Sequence, residues 1–230
     1  MTIPEQQAII EEYRSTLINK DFPCIGARAA LSQGNITCMV AGHMGCPADD
    51  RSILQFLYDF IDAYRSKGTL FHSAAVLFDG PVTDSDEMFD SLMWQRLQAL
   101  SDLDAAHFGY DPRVDADPLS PNFSFSLKAE AMFIIGLHPG SQRGARHFSH
   151  PVLAFNPHAQ FENLRETGRY ERLKGVIRRR DIAFSGSANP MLDDFGQSSE
   201  IYQYSGRIYD EDWQCPLNIR HGKANYHPPA

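Results

Sequence analysis

The sequence predicts a single α/β domain in three layers, a mixed sheet flanked by helices on both faces. Three observations lead there. Stretches near residues 5–18, 50–66 and 84–100 repeat apolar side chains at helical spacing. Shorter apolar runs, Leu70 to Phe78, Ile134 to Leu137 and Val152 to Phe155, are bounded by Gly or Pro and read as buried strands. Their order is not a clean strand–helix alternation, so a mixed sheet is expected rather than an all-parallel one. At 230 residues, with 43% hydrophobic and 22% charged residues, the chain has the size and balance of one globular domain.

The elements follow in order. Residues 5–18 place Ile9, Ile10, Tyr13 and Leu17 on one helical face, and Phe22-Pro23 ends that helix. Cys24 to Leu31 reads as a short helix or a turn, and Thr37 to Ala41 as a strand. Asp49-Asp50 supply acidic start signals for a helix over about 50–66, with Ile53, Leu54, Leu57, Ile61 and Tyr64 inward and Gly68 as its stop. After the strand at 70–78, Asp79-Gly80-Pro81 reads as a turn. Asp84 is the expected N-cap of the helix that buries Phe89, Leu92, Met93, Leu97 and Leu100. Residues 109–122, with three prolines, read as an ordered surface loop. The two strands at 134–137 and 152–155 follow, then one helix from Phe161 to Arg180 with a basic outer face. Residues 184–206 read as a loop, followed by a polar tail.

Several function classes are disfavoured. A net charge of −8 opposes general nucleic-acid binding, and the run Arg178-Arg179-Arg180 is too short to reverse that. No segment approaches the roughly 20 apolar residues that span a bilayer. The N-terminus lacks the basic and apolar regions of a signal peptide, so the cytoplasm is the expected location. Four scattered cysteines do not suggest a disulfide framework. A homodimer is the commonest arrangement for such a protein.

The chemistry concentrates between Met132 and Glu162. Two apolar runs each end in a histidine beside a proline, His138-Pro139 and Pro157-His158, with Arg143, Arg146, His147 and His150 between them. Ligands of open α/β sheets sit at the carboxyl ends of strands. Two imidazoles delivered to one sheet edge would hold a metal or an anionic cofactor. The alternative is that both are partly buried, hydrogen-bonded histidines. Arg143 and Arg146 suit carboxylate arms of a cofactor, or are surface charges. Cys24, in FPCIGARAAL, is similar to the thiolate loop of heme-thiolate oxygenases, or is a small buried hydrophobe. Cys38, His43 and Cys46 have nearly zinc-like spacing but lack an evident fourth ligand. Asp193, Asp194 and Glu200 form a carboxylate cluster near Arg207 that would suit a cationic substrate, or solvated turn acids. There is no Gly-x-Ser-x-Gly elbow, phosphate loop or dinucleotide fingerprint.

These residues resemble the YqcI/YcgG family of bacterial proteins. The similarity rests on FPC (22–24), FDSLMWQRLQAL (89–100), DP-LSPNFSFS (117–126), GLHPGSQRGARHF (136–148) and VLAFNPHAQFENLRE (152–166). It continues through IRRRD (177–181), GSANPMLDDFG (186–196), SEIYQYSGR (199–207) and WQCP (213–216), from about residue 20 to 217. The resemblance implies a heme-dependent N-oxygenase that oxidises a nitrogen of a guanidino compound, such as an arginine derivative, or of an amino-imidazole. It implies heme b, O2 as co-substrate and, with no flavin or nicotinamide motif present, an external reductase or ferredoxin. Carried onto this chain, the motif histidines are His138 and His158, the cysteine is Cys24 and the arginines are Arg143 and Arg146. The family often has arginine where this chain has His147. Cys38, Cys46, His150, His221 and His227 fall outside the motifs. The expected assignment is His158 as the proximal iron ligand and His138 as the distal or supporting group, with Cys24 as the alternative thiolate ligand. Asp193, Asp194 and Glu200 are the expected guanidinium binders. A non-catalytic heme carrier or sensor using the same histidines is the competing reading, and a zinc-bound or metal-free hydrolase-like protein is a third.

Overall fold

A computed structural model describes residues 1–68, 70–187, 191 and 193–222. Among the described residues, seven α-helices and five strands run in the order α1 (Ile3–Ile18), α2 (Ile25–Ser32), β1 (Ile36–His43), α3 (Asp50–Lys67), β2 (Ser73–Gly80), α4 (Asp86–Asp104), β3 (Phe125–Leu127), β4 (Glu130–Leu137), β5 (Val152–Pro157), α5 (His158–Glu166), α6 (Tyr170–Ser185) and α7 (Ile201–Tyr204). The strands form one sheet in the order β1-β2-β5-β4-β3. Only β1 and β2 are parallel; β2–β5, β5–β4 and β4–β3 are antiparallel. The expected single-domain, three-layer mixed α/β fold is the observed one.

Strand periodicity sorts the core into two faces. Val76, Phe78, Ile134 and Phe155 meet Leu57 and Ile61 of α3 and Phe89, Met93 and Leu97 of α4. Ala75, Leu77, Leu137 and Val152, the alternate positions, meet Ile9, Tyr13 and Leu17 of α1 and Ala30 of α2. Each fully buried Leu, Ile or Phe contributes about 1.5–3 kcal/mol of transfer free energy, so both faces stabilise the sheet.

The strong amphipathic segments fold as read, with four local differences. Ser85, not Asp84, caps α4, accepting from the Met88 amide at 3.1 Å. Asp79 and Gly80 extend β2 instead of turning. The stretch 161–180 is not one helix. It breaks where Gly168 takes φ +68°, a conformation a Cβ disfavours, and so separates α5 from α6. The expected loop 184–206 contains the short α7.

Beyond the short β3, the open side of β4 is covered by α7. Gly136 makes that approach possible. A Cβ there would lie 2.4 Å from Phe89 Cε1, 2.7 Å from its Cζ and 3.1 Å from the Tyr204 carbonyl oxygen. Gly136→Ala is therefore expected to lower stability by about 1–3 kcal/mol, the usual cost of overpacking a filled core, read as a lower urea midpoint at unchanged slope.

Candidate functional site

A cavity of about 300 Å³ lies on the α1/α2 face of the sheet, at the low end of the range for small-molecule sites. Its floor is Ile135 and Leu137 of β4 with Ala154 and Asn156 of β5. One wall is Leu17, Phe22, Cys24 and Phe71; the opposite wall is α5, α6 and the start of α7. Helix α6 is unusual in the fold: across 16 residues it has no fully buried side chain, and Leu173 and Ile177 face the cavity instead of a core.

His158 opens α5 and is 5% exposed. Its Nε2 is hydrogen-bonded to Glu162 Oε1 at 3.1 Å, one helical turn on; its Nδ1 lies 3.3 Å from Glu200 Oε1, off the line of a hydrogen bond, and has no hydrogen-bond partner. Glu200 is itself buried, and its Oε2 accepts from the Tyr204 hydroxyl at 3.2 Å. Glu162 is 45% exposed in its side chain and pairs with Arg165. Phe195 packs on the imidazole with ring centres 4.3 Å apart. Across the cavity, Cys24 caps α2, and its Sγ accepts from the Ala27 amide at 3.4 Å. Burial pushes its thiol pKa up, against the opposing pull of the Ala27 and Gly26 amides and of Arg146. His158 and Cys24 thus share one cavity.

The two expected cofactor arginines also line the cavity, with donors engaged by protein groups. Arg146 donates to the carbonyls of Gly136 (3.0 Å), Tyr204 (3.1 Å) and Gln203 (2.7 Å). Burial, aided by Arg143, lowers its pKa to about 10. Arg143 pairs with Asp181 of α6 at 2.6 Å. Arg178, read from the sequence only as part of a basic run, also lines the cavity; its Nε is buried and lacks a hydrogen-bond partner, and its Nη2 lies 3.8 Å from Asp194. Among the carboxylates, Asp194 is held below its usual range by Lys174 at 2.8 Å, and Glu200 faces His158 and Tyr204. Asp193 lines the cavity, and among the described residues its carboxylate has no partner. Ala188, Asn189, Pro190 and Leu192 of the GSANPMLDDFG motif, and His227 of the tail, lie outside the described residues.

His138 does not join His158. Strands β4 and β5 are antiparallel, with Leu137 opposite Val152 and Met132 opposite Pro157, so their carboxyl ends lie at opposite ends of the ladder. At about 3.4 Å per residue the two histidines are roughly 20 Å apart. The expected convergence of two imidazoles at one sheet edge is therefore corrected. His138 is fully buried, stacked on Phe89 with ring centres 4.4 Å apart, and does not line the cavity. Its Nε2 is 3.0 Å from Asp86 Oδ1, but the contact is off the line of a hydrogen bond, and both ring nitrogens lack partners. The zinc-like trio is also dispersed: His43 and Cys46 are exposed, and Cys38 lies half-buried within β1. Among the described residues no group of three His, Cys, Asp or Glu is placed to hold a metal ion. Of the residues missed, Glu162 was readable from its four-residue spacing after His158. Asp86 and Tyr204 carried no local signal.

Burial, with Arg146 and His147 nearby, lowers the His138 pKa from 6.5 to about 4. The native state thus refuses a proton that the unfolded chain accepts. This histidine leaves stability untouched above pH 6.5. Between about 6.5 and 4 it costs progressively more as pH falls, reaching roughly 3 kcal/mol below pH 4. Urea unfolding across that window should show His138→Phe losing less stability than the wild type by that order; parallel curves would refute the assignment.

Residues 13–218 match the YqcI/YcgG family. The chain belongs to that family. It is 27% identical over 206 residues to a protein of Bacillus subtilis (strain 168) called "Uncharacterized protein YqcI", covering 85% of this chain and 80% of that relative. No solved structure matches it.

Proposed function

We propose that this member of the YqcI/YcgG family binds heme in the cavity beneath α6. With it the protein oxidises a nitrogen of a guanidino or amino small molecule, using O2 and electrons from an external reductase or ferredoxin. The observation that supports the reading best is His158, a buried imidazole in an apolar cavity with a buried carboxylate at Nδ1. A metal-binding histidine is oriented by an acceptor at its second nitrogen, a role Glu200 would take with a small turn of the ring into line. Nε2 is the atom available to iron, because its neighbour Glu162 is half-exposed and its pairing with Arg165 replaces little when it turns away. Cys24 Sγ would be the alternative group to hold the iron, with the Ala27 amide set to stabilise a thiolate. When bound, heme supplies dioxygen activation, a chemistry tuned by its axial ligand and by the hydrogen bonds around it.

The chain's own residues do the rest. Leu173, Ile177, Phe161 and Leu164 exclude water from the cavity. The orphaned Nε of Arg178 suits a cofactor carboxylate, while Arg143 is engaged by Asp181 and Arg146 by three carbonyls. Asp193 is the carboxylate free to bind a cationic substrate head, since Asp194 serves Lys174 and Glu200 serves His158. His138, outside the cavity, takes no part in the proposed chemistry.

Protein produced with a heme precursor is expected to show a Soret band that His158→Ala loses and Cys24→Ala keeps. The carbon monoxide complex of the reduced form should have the spectrum of imidazole ligation. A band lost only in Cys24→Ala reverses the ligand assignment, and no band at full heme supply overturns the reading. With a reductase and a guanidine, mass spectrometry should find one added oxygen; a heme-loaded protein without turnover is a carrier. Asp193→Asn is expected to raise KM for a guanidine roughly tenfold, the loss of one charge-assisted hydrogen bond of about 1.5 kcal/mol.

A further inference from the structure

Behind His158 the structure holds a file of oxidisable side chains that reaches the surface. Glu200, 3.3 Å from His158 Nδ1, accepts from the Tyr204 hydroxyl, and Tyr204 also meets Phe133 of the cavity floor with ring centres 5.9 Å apart. Trp94 is 6.0 Å from Tyr204 and 5.9 Å from Trp213, centre to centre. Trp213 stacks on Tyr209 at 3.8 Å and meets Tyr202 at 5.7 Å. All are spacings of aromatic rings in contact. Tyr204 and Trp94 are buried, whereas Trp213 and Tyr202 are only half-buried. The chain has two tryptophans, and both lie in this file.

A second observation is independent of the ring positions. The inner members each donate to a buried carboxylate. Tyr204 donates to Glu200, while Trp94 Nε1 donates to Asp90 Oδ1 at 2.8 Å and the Tyr209 hydroxyl donates to the same oxygen. Oxidation of a phenol or an indole releases its acidic proton, so an adjacent carboxylate lets electron and proton leave together. Core packing alone does not require that a Tyr, a Trp and a second Tyr each face a buried acid, since burying acids carries a cost.

We infer that Tyr204, Trp94 and Trp213 form an electron path from the surface to the cavity, which discharges a strong one-electron oxidant arising beside His158. Phenols and indoles yield electrons only to strong oxidants, so the path drains misfired oxidation and does not feed resting iron. In the first step the oxidant gains one electron from Tyr204, whose hydroxyl proton passes to Glu200. Trp94 then restores Tyr204 with one electron, Glu200 returns the proton, and the Trp94 Nε1 proton passes to Asp90. Trp213 restores Trp94 with one electron, Asp90 returns the proton, and the Trp213 Nε1 proton passes to solvent; a thiol reductant at the surface then supplies Trp213 with one electron and one proton and leaves as a thiyl radical. The net change is one electron moved from that thiol to the cavity oxidant and one proton released to solvent. The biological use of the path rests on the heme reading above; the path itself is a property of the chain.

The path can be tested without heme. Pulse radiolysis with azide radical oxidises accessible indole, here Trp213. In the Tyr202→Phe/Tyr209→Phe protein, the indolyl absorbance should decay as a phenoxyl absorbance grows, with one first-order rate constant independent of protein concentration. Adding Trp94→Phe or Tyr204→Phe should abolish the phenoxyl signal while the indolyl radical still forms, and Trp213→Phe should remove the initial oxidation. A phenoxyl signal that survives Trp94→Phe, or that grows in proportion to protein concentration, overturns the path. A missing Soret band would sink the heme reading and leave this result standing, so the two failures are distinguishable.

Discussion

The Arg146 guanidinium holds the site together. It is half-buried, among the described residues no carboxylate pairs with it, and its fork donates to three carbonyls, Gly136 of β4 and Gln203 and Tyr204 of α7. Those oxygens need it. Strand β3 is three residues long and pairs only with the first part of β4, so Gly136 has no strand neighbour on that side. The last carbonyls of a helix lack intrahelical donors. One cation answers both needs and so fixes α7 against β4. Because α7 begins next to Glu200 and ends at Tyr204, the same clamp sets the carboxylate beside His158 and the first ring of the aromatic file. A lysine offers no planar fork and does not span the three acceptors.

Much of the fold was legible because its signals are local. Helices α3 and α4 follow from their apolar spacing and acidic starts, and β2, β4 and β5 from short apolar runs between turn residues. The direction of strand pairing was not legible. The segment between His138 and Val152 carries no crossover helix, β5 returns antiparallel beside β4, and that return sends the two histidine-bearing strand ends apart. Two motifs that look equivalent in sequence therefore enter unrelated surroundings. His158 starts a helix at a cavity wall between two carboxylates. His138 is sealed under Phe89, and burial keeps it neutral.

The site residues divide along the same line. Cys24 and His158 were found from motif and neighbourhood, and they do share the cavity. Arg143 and Arg146 share it too, but their partners were not legible, because an arginine in a polar loop says nothing of which carbonyl or carboxylate the fold brings to it. Glu200 was picked out as one acid of a cluster; its position behind His158 depends on α7, which has only four residues and no periodicity to reveal it. The aromatic file draws on α4, α7 and the segment after it, some 120 residues apart along the chain. No window of sequence contains it.

Helix α6 completes the physical account of the cavity. A helix of 16 residues gains most of its stability in a protein from burying one face, yet α6 buries no side chain fully. Polar seams hold it instead: Arg143 to Asp181, Lys174 to Asp194, and Arg180 to the carbonyls of Lys20 and Phe22. Partly solvated pairs of this kind contribute little each. The break at Gly168 leaves α6 free of the rigid continuation that α5 would otherwise impose. Leu173 and Ile177 consequently face a void that an apolar occupant would fill, and that occupant would supply the contacts that the core does not. Any ligand bound there stabilises the folded chain in proportion to its affinity, most directly through α6. The helix that packs least is thus the one whose order depends most on what the cavity holds.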